Sequence, residues 1–153
     1  MTLQDLATLG DVIGAFGVIA SLIYLAFEIR HNTQAMRRAA TQDVIRSLNE
    51  QARFFVESPE LAGLYFTASE RPEELTGEDR FRFQTLLAYV LSNFEMALEY
   101  YRDGLLGDEM IEGYARGIRP LFENPVVVEW WEEEGQSMYS QELNDLVSKQ
   151  TAA

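Results

Sequence analysis

The chain has 153 residues, no cysteine, a single histidine and a formal net charge of −13. That length suits one modest domain rather than two. The missing cysteines exclude disulfides and cysteine-based zinc or iron–sulfur sites. His31 alone leaves few catalytic or metal-site templates open. A strongly acidic body repels phosphates, so nucleic acid is not an expected partner.

The charge is segregated along the chain. Residues 1–27 carry Asp5 and Asp11 and no base. Residues 28–53 carry five arginines against Glu28, Asp43 and Glu50. The remaining acids, which far outnumber the bases, lie beyond residue 53.

Residues 12–27 read VIGAFGVIASLIYLAF, without a charge. Extending back through Leu6 and Leu9 gives a longer stretch interrupted by Thr8 and Asp11. A helix rises ~1.5 Å per residue and needs ~17–25 mostly apolar residues to span a bilayer. The uncharged core is slightly short and the extended segment is adequate. No basic stretch precedes it and no small-residue cleavage site follows it, which argues against a signal peptide. Its apolar character on every face also fits a buried helix of a soluble bundle. The membrane anchor is the preferred expectation.

Arg30, Arg37, Arg38, Arg46 and Arg53 all follow the span. Basic residues near a span end are retained in the cytoplasm, so the expected topology is single-pass with the N-terminus outside. Arg30, Arg37, Arg38 and Arg46 form a basic collar at the membrane exit, able to meet anionic lipid as well as to fix topology. Within the span, Gly10, Gly14, Gly17 and Ser21 share one helix face. Small residues there let a second helix approach closely.

From Glu28 to Glu57 there is neither proline nor glycine. Ile29, Met36, Ala40, Val44, Leu48, Ala52 and Phe55 recur at near-helical spacing. One long helix over about residues 5–57 is therefore expected, ended by Ser58-Pro59. A short helix over about 59–69 turns Leu61, Leu64, Tyr65 and Ala68 inward. Thr76 is placed to cap the next helix, over about 77–102. That helix is apolar on more than one face, from Phe81 to Tyr101, as a central helix should be. A helix over about 108–122 follows. Pro125 opens a short helix to about Glu134, and a last amphipathic helix covers about 140–147. The expected division is an anchor over 1–28, an acidic bundle over 29–150 and a frayed tail over 151–153.

Five stretches carry a resemblance: IASLIYLAFEIRHNTQAMRRAA (19–40), PELAGLYF (59–66), PEELTGEDRFRF (72–83), EYYRDGLLGDEMIEG (99–113) and NPVVVEWW (124–131). In these the chain resembles a family of small uncharacterised bacterial proteins with one N-terminal membrane helix and a cytoplasmic helical domain. The resemblance implies that architecture and a bacterial inner-membrane location. It implies no activity, cofactor or catalytic residue.

The chemical constellations are sparse. Glu95 and Glu99 lie one turn apart, but a dimetal bundle site also needs Glu-x-x-His motifs, and none occurs. An ion pair of Glu99 with Arg102 is the simpler expectation. His31 reads as a polar residue at headgroup level. At least one of Trp130 and Trp131 is expected in the core. No Ser–His–acid set or Gly-rich phosphate loop is present. The expected protein is all-α and non-enzymatic, without metal or cofactor. Its expected partners are the lipid bilayer and, through the membrane helix, itself or another membrane protein. The alternative is a sensor or binder that holds a small apolar or lipidic ligand in an aromatic pocket.

Overall fold

Helix boundaries in this chain follow its capping chemistry. The computed structural model describes the backbone of residues 3–152, and side chains from residue 13 onward. Helix α1 runs Leu3–Glu57, then α2 Pro59–Glu70, a 3-10 turn Pro72–Glu74 and α3 Gly77–Arg102. Next come α4 Asp108–Ala115, α5 Ile118–Leu121 and α6 Pro125–Trp130. A π-helical turn, Trp131–Gly135, leads into α7 Gln136–Met138 and α8 Gln141–Thr151. Helix makes up 88% of the structure and no strand occurs among the described residues, so the chain is all-α.

Ser58, Thr76, Asn124 and Ser140 each sit in extended backbone and accept a backbone N–H two or three residues ahead. Such caps satisfy donors that the first turn leaves free. Pro59 and Pro125 occupy the first turns of α2 and α6, where a missing N–H costs nothing.

Contacts divide the chain into two compact units, residues 1–38 and 39–153. Residues 3–38 are helical throughout. The second unit is built around α3. Phe83, Leu87, Leu91, Phe94, Ala97 and Leu98 of α3 are buried, with Ala40 and Val44 of α1 and Ala68 of α2. Ile111, Ile118, Val127, Leu143 and Val147 extend the same core. Helices α2, α4, α6 and α8 all pack against α3.

Three elements depart from the expectation, each for a physical reason. The helix expected over 108–122 breaks after Ala115. The Gly117 N–H turns back to the Tyr114 carbonyl at 2.9 Å, and Pro120 has no N–H to continue the ladder. The last helix continues to Thr151 instead of ending near Val147, and the Thr151 hydroxyl donates to the Val147 carbonyl at 2.9 Å. The inward stripe of α1 is also shifted. Ala40 and Val44 are buried as expected, but Ser47 follows them inward, while Leu48 and Ala52 are exposed. Ile29 and Met36 are exposed as well, and so is Phe81 of α3.

Both tryptophans are in the core. Trp131 meets Phe122 edge-on and stacks on Tyr139. Buried Asn124 donates to Ser69 Oγ at 3.1 Å and caps α6 through Val126 N–H at 2.9 Å, tying α6 to α2. Gly135 closes the π turn against the tryptophans. A Cβ there would lie 2.7 Å from Trp131 Cε3 and 3.2 Å from Trp130 Cζ3. The rings are held by their own neighbours and have little room to yield. Gly135→Ala should therefore destabilise the bundle by roughly 1–3 kcal/mol, the usual range for overpacking. Chemical denaturation checks this; an unchanged midpoint would show that the π turn absorbs a methyl group.

Candidate functional site

Two regions stand apart from the core chemistry, one in each unit. The first is the apolar part of α1. One helix among the described residues is long and apolar enough to cross a membrane by length and composition. Residues 13–27 are exposed without exception, Phe16 at 69% and Leu22 at 60% among them. None of this segment is a core helix within the chain.

Gly14, Gly17 and Ser21 fall within roughly 60° of one another about the axis at ~3.6 residues per turn. A Cβ at Gly14 or Gly17 would meet nothing within 4 Å. The Ser21 hydroxyl donates to the Gly17 carbonyl at 2.8 Å, so its hydrogen is satisfied inside the helix. Gly10 belongs to the α1 backbone but lies outside the residues whose side-chain environment is described. Arg30, Arg37 and Arg38 are exposed, as is His31. Arg46 is exposed too and pairs with Asp43 one turn back.

The second region is the seam where α1 meets α3 and α4, entirely within residues 39–153. Here α1 is bridged to α3 by long side chains. Tyr100 OH donates to Asp43 at 3.2 Å, Tyr89 OH to Glu50 at 3.5 Å, and Phe54 meets the Tyr89 ring edge-on. Two grooves open along the same seam. One, of ≈ 320 Å³, is lined by Phe55, Tyr65, Phe83 and Leu86. The other, of ≈ 350 Å³, is lined by Leu48, Phe94, Met110 and Tyr114. Gln51, Val90, Gly117 and Leu121 line both.

Three buried side-chain polar atoms lack a hydrogen-bond partner among the described residues: Gln51 Nε2, Asn93 Nδ2 and Tyr114 OH. All three belong to this seam. Asn93 lies on the strip of α3 between Tyr89 and Tyr100, the two residues that reach α1. Tyr114 is 6% exposed and its ring packs on Phe94 at 4.3 Å. Burial pushes the Tyr114 hydroxyl above the ordinary tyrosine value, while Ser47 and Gln51 nearby pull it partly back. Neither meets hydrogen-bond geometry with it, and Ser47 gives its own hydrogen to the Val44 carbonyl at 2.9 Å. The inward stripe expected for α1 does not include Ser47 or Gln51. Their signal was there: they continue Ala40 and Val44 at spacings of three and four.

The paired carboxylates are not brought together as a site. Glu95 accepts the Ser140 backbone N–H at 3.4 Å, at the start of α8, and Glu99 pairs with Arg102 at 3.5 Å. A further groove, ≈ 520 Å³, lies between α4 and α8 and is rimmed by Arg116, Glu142, Asp145 and Lys149. No unpaired buried polar atom among the described residues lines it. Comparison with protein-family models, with curated proteins and with solved structures gives no match.

An unpaired buried hydroxyl costs ~1–3 kcal/mol relative to a bonded one. Tyr114→Phe should therefore leave the stability of the bundle unchanged or raise it by up to about 1 kcal/mol. Because the folded-state value is raised by burial, ionisation of Tyr114 has no effect on folding below the ordinary tyrosine value of 10.0 and costs stability as pH rises from there through the folded value. The variant should lose less stability than the parent between neutral pH and pH above about 10. Denaturation at both pH values checks this, and a clear loss at neutral pH would show that the hydroxyl is bonded.

Proposed function

We propose that the chain is a membrane-tethered, non-enzymatic interaction protein, in keeping with the family of small bacterial membrane-anchored proteins that it resembles. Residues 13–27 and the helical turns before them cross the bacterial inner membrane once. The N-terminus lies outside, and the acidic bundle lies in the cytoplasm. Arg30, Arg37, Arg38 and Arg46 form the collar that fixes this topology and meets anionic headgroups. Tyr24 and Phe27, both exposed, suit the headgroup level at the exit.

The observation that carries the reading is the fully exposed apolar run of α1. An exposed apolar patch of this extent marks an interaction or membrane surface. Gly10, Gly14, Gly17 and Ser21 supply the docking face. Lipid tails are as apolar as leucine side chains, so association in the bilayer relies on close packing. The open space over Gly14 and Gly17 suits such an approach by a second copy or by a larger assembly. The acidic bundle is then the part presented to cytoplasmic partners, kept away from anionic lipid by its own charge.

Gly14→Ile with Gly17→Ile keeps the segment apolar while filling the face. In reconstituted bilayers this double variant should reduce self-association at least about tenfold, the equivalent of ~1.4 kcal/mol. Energy transfer between labelled copies measures it. Equal transfer in the parent and the double variant would remove that face from the account.

A further inference from the structure

We propose that the α1–α3–α4 seam is a binding site for a small neutral amphiphile: a straight-chain alcohol, ester or amide with a hydrogen-bond-accepting head. This goes beyond the tethered interaction protein proposed above and does not depend on it, because every residue involved lies within 39–153.

Three observations carry it. First, the two grooves share Gln51, Val90, Gly117 and Leu121, so they adjoin along the seam. Each lies in the range of ~300–1,000 Å³ usual for ligand pockets. Second, their walls are mostly aromatic and aliphatic, which suits a hydrocarbon chain. Third, Tyr114 OH and Gln51 Nε2 are buried and unpaired, Tyr114 lines one groove, and Gln51 lines both. Buried donors without partners are destabilising unless something completes them. A head group that accepts from both would do so.

Charge selects between heads. No lysine or arginine lines either groove, and Glu109 borders the one that contains Tyr114. A carboxylate head would enter a low-dielectric site without a counter-cation and beside a like charge. A neutral head meets neither penalty. The head therefore sits at Gln51 and Tyr114, and the chain runs toward Phe55, Tyr65 and Phe83.

Photolabelling of the full chain in lipid nanodiscs tests this, with a dodecanol and a dodecanoate that each carry a diazirine on the chain. The expected result is labelling of the groove residues in α3 and α5 by the alcohol, at least about tenfold above the carboxylate. Tyr114→Phe keeps the ring and should lower groove labelling by about 3–10-fold, the worth of one hydrogen bond. Val90→Phe, which fills both grooves, should abolish it. Tyr101→Phe serves as control, because that hydroxyl is already bonded to Asp108 at 3.0 Å outside the grooves. Its labelling should match the parent. Equal labelling of the parent and Tyr114→Phe, or equal labelling by alcohol and carboxylate, would overturn the proposal. So would labelling confined to residues 13–27, with the amphiphile held in the bilayer.

Discussion

Apolar surface must leave water, and this chain meets that constraint in two different ways. In the second unit the solution is internal. Phe83, Leu87, Leu91, Phe94, Ala97 and Leu98 form one buried stripe along α3, and α2, α4, α6 and α8 pack against this helix. Burial of each large side chain contributes ~1.5–3 kcal/mol, which orders the short helices around α3. In residues 13–27 there is no internal solution, since no side chain there is buried. A helix that is apolar all round and uncovered by its own chain needs another solvent or another protein. The proposed bilayer and the proposed docking face are two answers to that single unmet demand.

The seam shows the same constraint met incompletely. α1 is bridged to α3 by Tyr100, Tyr89 and Phe54, and gaps remain beside these bridges. In a core made only of aliphatic residues those gaps would be a packing cost alone. Here they hold the unpaired donors of Gln51 and Tyr114. A site that is partly open and partly unsatisfied has less local stability than a filled one and more capacity to take a ligand. The tryptophan corner is the contrast. Trp130, Trp131, Phe122 and Tyr139 fill their space so fully that position 135 has no room for a methyl group.

Most of the fold was legible because its signals are local. Pro59, Thr76, Pro125 and Ser140 mark helix starts by their own chemistry, and the four helices they open begin within a residue of the expected positions. The break at Gly117 was missed because apolar spacing runs through it unchanged from Ile111 to Leu121, while Pro120 acts on the backbone. The π turn was invisible for a related reason: nothing in WEEEG distinguishes it until Gly135 meets the two tryptophans. The seam was least legible of all. Periodicity favoured Leu48 and Ala52 for the inner face of α1, and polarity argued against Ser47 and Gln51. Which of these faces inward depends on where α3 and α4 lie, and that is tertiary information.

The central claim is that residues 13–27 face lipid while residues 39–153 form a bundle in water. The absence of cysteine makes a direct measurement clean, since each introduced cysteine carries the only spin label. Labels at Phe16, Ile19, Ile23, Met36 and Phe81 in reconstituted bilayers can be compared for collision with oxygen and with a water-soluble nickel chelate. High oxygen and low nickel contact are predicted at Phe16, Ile19 and Ile23, and the reverse at Met36 and Phe81. Nickel contact at Phe16, Ile19 and Ile23 equal to that at Phe81 would contradict the account.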